Sequence, residues 1–212
     1  MTATWFITGT DTDVGKTHCT LALMQYFQNK GFKVAGMKPV ASGGYETAQG
    51  LRNDDAVKIF QQCHELNINY QWVNPYCFLP PIAPHLAALR SGQQIELSVL
   101  ISTYQQLADQ AEVVIIEGVG GWRVPINHYQ SLKEMVLAIN ASVILVVGLR
   151  LGCINHALLT TEAIIQDGCR FAGWIANAID SEFDAQESVT AITERLPVPL
   201  IAQMPFMTSC LL

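Results

Sequence analysis

Charge is scarce in this sequence. Of its 212 residues only 14% are Asp, Glu, Lys or Arg, whereas 50% are hydrophobic; an average soluble domain carries roughly 25% charged residues. Disorder requires low hydrophobicity and high net charge, so this composition excludes it. Long apolar runs are missing too. The stretch 143–149 is closed by Arg150, far short of the ~18 apolar residues of a membrane span. The apolar excess therefore belongs inside, in short strands buried on both faces of a parallel sheet. The length excludes two ordinary domains with a linker and predicts one domain over residues 1–212.

Metal-ligand and export signals are also lacking. The six cysteines, Cys19, Cys63, Cys77, Cys153, Cys169 and Cys210, show no Cys-x-x-Cys or Cys/His spacing, which predicts buried thiols rather than a zinc site or disulfides. The first residues carry no basic segment and no long apolar stretch, so no signal peptide and a cytoplasmic protein are expected. Basic residues are few, 12 against 18 acidic, for a net charge of −6. That balance argues against nucleic acid, whose binding rests on Lys and Arg at phosphates. Yet Lys16, Lys30, Lys33, Lys38, Arg52 and Lys58 all fall in the first 60 positions, a skew that fits a small anionic ligand at that end or simply a solvated surface.

What is present is an alternation of strand-like and helix-like segments. Apolar, β-rich stretches at 3–8, 33–40, 113–117, 142–148, 171–177 and 200–204 are separated by helical patterns at 16–29, 54–63, 84–90, 97–110, 132–139, 154–166 and 184–195. Gly31 sits where a helix C-cap belongs, the Gly/Ser-rich segment 41–50 is expected as a loop, and four prolines make 73–84 an irregular connection. This order predicts an α/β fold with a doubly wound, mostly parallel sheet flanked by helices; a glycine-rich phosphate loop after the first strand, residues 9–17, makes the expected fold one of the P-loop NTPase type.

The strongest motif is Gly9-Thr10-Asp11-Thr12-Asp13-Val14-Gly15-Lys16-Thr17, between the first strand and the first helix. A triphosphate needs backbone N–H donors, a cation and a metal-binding hydroxyl at one spot. Glycines admit the backbone, the helix N-terminus supplies donors, Lys16 neutralises phosphate and Thr17 ligates Mg2+. Five residues rather than four separate Gly9 from Gly15. Nucleotide-bound Mg2+ wants a carboxylate as well. Glu117 closes the strand 113–117 and precedes Gly118-Val119-Gly120-Gly121, the Walker-B position with Glu for Asp. Asp55 is a weaker candidate, because an acidic pair opening a helix is ordinarily a cap, a role Asp54 alone could fill. Lys38, at the end of the second strand, lies on the sheet edge where doubly wound folds bind ligands; alone it could equally be an ordinary exposed lysine.

Together these segments resemble the dethiobiotin synthetase family over nearly the whole chain. The matching stretches are Gly-Thr-Asp-Thr-Asp-Val-Gly-Lys-Thr (9–17), Lys-Pro-Val-Ala-Ser-Gly (38–43), Gly-Leu-Arg-Asn-Asp-Asp-Ala (50–56), Val-Asn-Pro-Tyr (73–76), Glu-Gly-Val-Gly-Gly-Trp (117–122) and Leu-Gly-Cys-Ile-Asn-His-Ala (151–157). The extra residue in the phosphate loop is that family's normal form.

The resemblance implies ring closure of 7,8-diaminononanoate with CO2 or bicarbonate, dependent on ATP and Mg2+, through a carbamate and a carbamic-phosphoric anhydride. It implies that Thr17, Asp55 and Glu117 hold Mg2+, that Thr12, Lys16, Lys38 and Ser42 surround the carbamate and reacting phosphate, and that Asp13 lies near a diamine nitrogen. Around ATP it places Asp13, Val14, Gly15, Lys16, Thr17, His18, Gly118, Val119, Gly120, Asn177, Pro205, Phe206 and Met207. It further implies a homodimer in which backbone amides at Gly152, Cys153, Ile154 and Asn155 cap the substrate carboxylate in the partner's site. One departure is that residues 179–194 offer no Tyr toward that carboxylate.

Two other readings share the phosphate loop. A switch ATPase of the partitioning or positioning type carries a second lysine early in the loop, where this chain has Thr10. A GTP-using relative would need the Asn-Lys-x-Asp motif, but Ala178 replaces its Lys in Asn177-Ala178-Ile179-Asp180. No basic or amphipathic element for DNA or a membrane surface is evident.

Overall fold

The computed structural model describes residues 2–206. Among these residues, ten strands and eight helices follow one another in the order β1 (Ala3–Gly9), α1 (Lys16–Gln28), β2 (Val34–Met37), β3 (Val40–Ser42), β4 (Tyr45–Thr47), β5 (Gly50–Arg52), α2 (Asp54–Gln62), α3 (Tyr70–Val73), β6 (Tyr76–Phe78), α4 (Pro84–Arg90), α5 (Leu97–Ala108), β7 (Val113–Glu117), α6 (Leu132–Ala138), β8 (Ser142–Leu149), α7 (Cys153–Gln166), β9 (Arg170–Ala178), α8 (Gln186–Thr193) and β10 (Leu200–Met204). Six of the strands form one sheet in the order β10-β9-β8-β1-β7-β2, and every neighbouring pair in it is parallel.

The sheet's apolar residues alternate between two cores. Phe6, Val114, Ile116, Leu145 and Trp174 pack on one face against α4 to α8. Ile7, Val113, Ile115, Val146 and Ile175 pack on the other against Met24 of α1 and Ile59 of α2. Strands β7 and β8 are buried at every position, which is why they read as unbroken apolar runs rather than alternating ones.

Three expectations change. The single strand expected over 33–40 breaks at Pro39: β2 stays in the main sheet, while β3 pairs with β6 as a separate parallel ribbon. Proline has no N–H to donate to a ladder, so the chain leaves the sheet there. The expected loop 41–50 contains β4 and opens β5, which form an exposed antiparallel hairpin. The cap of α2 is Asn53, whose side chain accepts from Ala56 N, so Asp54 is not the capping residue.

Because β1 lies between β7 and β8, the chain reverses its winding at β1. Loops leaving the carboxyl ends of neighbouring strands part there, opening a crevice where such folds bind ligands.

Candidate active site

The crevice is a cavity of about 930 Å³ lined by groups from six connections. Thr12, Asp13, Gly15, Lys16 and Thr17 come from the β1–α1 loop and helix start. Lys38 follows β2, Ser42 ends β3, Asn53 and Asp55 begin α2, and Glu117, Val119 and Gly120 come from the end of β7. The far wall, Pro81, Ile82, Ala83 and Pro84, is apolar. All three expected catalytic residues, all three expected metal ligands and Ser42 thus meet in one place.

Gly15 caps α1 at φ +86, a left-handed conformation, and a Cβ there would fall 2.1 Å from Asn177 Nδ2. Only glycine fits both demands. Lys16 is 7% exposed, and its Nζ donates to the Asp11 carbonyl at 2.7 Å. Burial, and then the Lys38 ammonium, pull its pKa down from 10.5 to about 8, against the opposing pull of Glu117, Asp13 and Asp11.

Lys38 is buried between two carboxylates. Its Nζ donates to Glu117 Oε1, and to Asp55 Oδ2 at 3.3 Å. Burial lowers its pKa, but Glu117 and Asp55 outweigh burial and leave it above the ordinary lysine range. Its backbone is fixed as well: Lys38 N donates to Val73 O at 2.7 Å, and Asn74 Nδ2 donates to Lys38 O at 2.7 Å. Asn74 belongs to the proline-bearing stretch expected to be irregular, and its positioning role is visible only in three dimensions.

Thr17 Oγ1 donates to Glu117 Oε1 at 2.9 Å, while Glu117 Oε2 is buried with no partner, as is Ser42 Oγ. Unpartnered buried acceptors are costly; a hydroxyl and two carboxylates collected here fit a hard, oxygen-liganded cation. Among the described residues no group of three or more His, Cys, Asp and Glu is assembled. The donor set therefore suits Mg2+ carried in with a nucleotide better than an ion held by protein alone.

A second, shallower cavity of about 260 Å³ adjoins the first through Asp13 and is lined by His18, Asn177, Ala178, Ile179, Pro205 and Phe206. Asn177 is buried, and its Nδ2 donates to the Val14 carbonyl at 2.9 Å. Val14 itself is buried and offers only backbone. Gly118 packs against Phe6 and the Ile7 carbonyl, behind the wall that Val119 and Gly120 present. Met207 lies outside the described residues.

Gly152 caps α7, followed by buried Cys153 and by Ile154 and the exposed Asn155; none of the four lines either cavity. Beside them Arg150 Nη2 donates to Asp11 Oδ2 at 2.6 Å. The sequence does not announce this pair, since nothing in its spacing marks a contact between residues 139 positions apart.

A family model described as an AAA domain matches residues 3–210. The chain is 45% identical over 203 residues to the ATP-dependent dethiobiotin synthetase BioD of Pseudomonas aeruginosa (strain UCBPP-PA14), covering 95% of this chain and 89% of that protein. It is 44% identical to the protein of the same name from Photobacterium profundum, covering 98% and 94%. Among solved structures, the septum site-determining protein MinD of Pyrococcus horikoshii, complexed with Mg-ADP, superposes with a TM-score of 0.56 at 15% identity, over 97% of this chain and 82% of that one. That likeness speaks to fold alone. With identity of this level along nearly its whole length, the chain belongs to the dethiobiotin synthetase family.

Proposed function

We propose that this protein is an ATP-dependent dethiobiotin synthetase, forming the cyclic urea of dethiobiotin from 7,8-diaminononanoate and CO2 with release of ADP and phosphate. The observation that carries the reading is the cluster of buried Lys16, Lys38 and Glu117 with Thr17 and Asp55 lining one cavity, in a chain 45% identical to a named synthetase.

The reaction brings two anions together, a carbamate and a γ-phosphate, and then separates phosphate from a carbonyl carbon. One amine takes up CO2; the carbamate oxygen attacks the γ-phosphorus and ADP leaves; the second amine attacks the carbonyl carbon and phosphate leaves with the carbamate oxygen. Lys16 is placed to neutralise the phosphates, aided by the N-terminal amides of α1. Lys38 is fixed by its side-chain and backbone contacts, so its charge costs little reorganisation where the transferred phosphoryl group develops charge. Thr12 and the unpartnered Ser42 hydroxyl can hydrogen-bond the carbamate, and Asp13 can accept from an amine. The Pro81-to-Pro84 wall suits the aliphatic chain of the diamine. Thr17, Asp55 and Glu117 would hold Mg2+, which supplies charge neutralisation at the phosphates when bound.

Asn177 would read the base: with Nδ2 committed to Val14 O, its Oδ1 is an acceptor that suits the exocyclic amino group of adenine and not the carbonyl of guanine. Pro205 and Phe206 would flank that ring. In a homodimer, the α7 start at Gly152–Asn155 would cap the substrate carboxylate of the other subunit, since a helix N-terminus stabilises an anion without a basic side chain. Leu151, 90% exposed beside it, is an apolar group that such a partner would cover. No described helix is long and apolar enough to cross a membrane, and the five described cysteines are free thiols, which fits the cytoplasm.

Phosphate release from ATP tests the reading, with the diamine and bicarbonate added singly and together. Strong stimulation only by both is expected. Rapid turnover without either, responding instead to lipid or DNA, would mark a switch ATPase.

A further inference from the structure

Residues 118–124 form the wall of the reaction cavity that faces the phosphate loop. Val119, Gly120 and Val124 line the cavity. A Cβ on Gly121 would lie 3.6 Å from the Gly9 carbonyl, and one on Gly120 3.7 Å from Thr12 Oγ1. The segment contains no helix or strand, so no ladder of backbone hydrogen bonds sets its height above the loop.

Its anchor is Asp167, at the far end of α7. Trp122 is buried, edge-on to Phe6 at 6.2 Å, and its indole Nε1 donates to Asp167 Oδ2 at 2.7 Å. Arg123 reaches the same carboxylate at 2.9 Å, and Lys133 of α6 donates to Oδ1 at 3.2 Å. The Asp167 side chain is only 7% exposed. Burial pushes its pKa up, but hydrogen bonds from Trp122, Lys133 and Arg123 outweigh burial and hold it below the ordinary range. The placement breaks a local rule. Asp167 is the C-cap of α7, at the negative end of the helix dipole, where an acid is unfavourable unless other donors offset it. Such local conflicts concentrate at functional positions.

We propose that Asp167 is a positioning residue for the reaction: by gripping Trp122 and Arg123 it sets the distance between residues 118–124 and the phosphate loop, and so the fit of Glu117, Gly120 and Thr12 around the reacting group. The proposal rests on the synthetase reading above. Asp167 touches no reactant; it acts through Trp122 and the wall.

Three variants test this, Asp167→Ala, Asp167→Asn and Trp122→Phe, with kinetics of dethiobiotin formation, ATP binding and thermal melting measured for each. Asp167→Ala should lower kcat about tenfold and raise KM for the diamine, with ATP affinity unchanged within about twofold. Trp122→Phe, which removes the N–H together with the five-membered ring of the indole, should show a loss of the same kind. Because both variants break the same Trp122–Asp167 hydrogen bond, the double variant should lose less than the sum of the two single losses. A plain structural brace would lower the melting temperature and leave kcat and KM of the folded enzyme at their original values, and that result overturns the proposal. Additive losses in the double variant also overturn it. If Asp167→Ala does not fold, Trp122→Phe carries the comparison; Asp167→Asn, which keeps an acceptor for the indole while losing the charge, should retain more of kcat than Asp167→Ala. An original protein that forms no dethiobiotin rejects the synthetase reading itself; an active one with kinetically normal Asp167→Ala, or with kinetically normal Trp122→Phe where Asp167→Ala does not fold, rejects only the role of Asp167.

Discussion

The two ends of the proposed nucleotide crevice are built on different principles. At the phosphate end, Lys16, Lys38 and Glu117 are buried and tied into a polar network: Lys38 to Glu117 and Asp55, Thr17 to Glu117, and Lys16 to the Asp11 carbonyl. At the base end a single buried amide, Asn177, stands over a shallow cavity beside Pro205 and the partly exposed Phe206. Charge fixed in advance of reaction accelerates chemistry, whereas one hydrogen bond only selects among bases. The phosphate end should therefore govern rate, and the base end should govern nucleotide choice. Gly15, squeezed against Asn177, is where the two ends meet.

The largest effect belongs to Lys38. Lys38→Ala removes the fixed ammonium and should lower kcat for ring closure by about a hundredfold to a thousandfold. It also leaves the Glu117 carboxylate buried without its partner, which should destabilise the ligand-free protein by about 3–5 kcal/mol in urea unfolding. A fully active Lys38→Ala enzyme would break the comparison at its strong end.

Next is Gly15→Ala. The added methyl meets Asn177 Nδ2, and the residue must still hold φ +86. Strain of this kind costs about 1–3 kcal/mol, so ATP affinity measured by calorimetry should drop by roughly tenfold to a hundredfold. Unchanged affinity would mean that the two ends are not joined through this residue.

Lys16 gives a pH signature. In the ligand-free protein its ammonium loses its proton as pH rises through about 8, while an unfolded lysine keeps it to 10.5. Between those values the unfolded chain binds more protons, so this group makes stability rise with pH across that window. Triphosphate beside Lys16 favours the charged form, so ATP binding at about pH 8.5 should take up a proton. Calorimetry in buffers of different ionisation enthalpy measures that uptake, and Lys16→Met should abolish it.

The smallest effect is expected at the base end. Asn177→Ala should reduce the preference for ATP over GTP by up to about tenfold, with kcat at saturating ATP unchanged. A large fall in kcat would show instead that its bond to Val14 O shapes the phosphate loop.

Legibility in the sequence follows the same division. Strands β7 and β8 are buried along their whole length and β1 over its last four residues, so their apolar runs announce them, and the phosphate loop is local enough to be read from consecutive residues. Glu117 is readable because it ends such a run before glycines. The β3–β6 ribbon is not, because it depends on pairing between Val40 and Tyr76, and the β4–β5 hairpin buries too little to leave a pattern. Asp55 is ambiguous in sequence, because only the structure shows Asn53 to be the cap. Asn74 and Asp167 act through contacts 36 and 45 positions away in sequence, and no spacing rule reports such distances.

In the proposed reaction, the phosphate end of the crevice joins carbamate to phosphate. This step is tested most directly by a rapid single turnover with 18O-labelled bicarbonate, ATP and the diamine, followed by mass analysis of the released phosphate. Phosphate carrying one oxygen from bicarbonate is the expected result, because the carbamate oxygen leaves with phosphorus at ring closure. Phosphate whose new oxygen comes from water would contradict the account, since it would mean that the clustered charges serve hydrolysis alone.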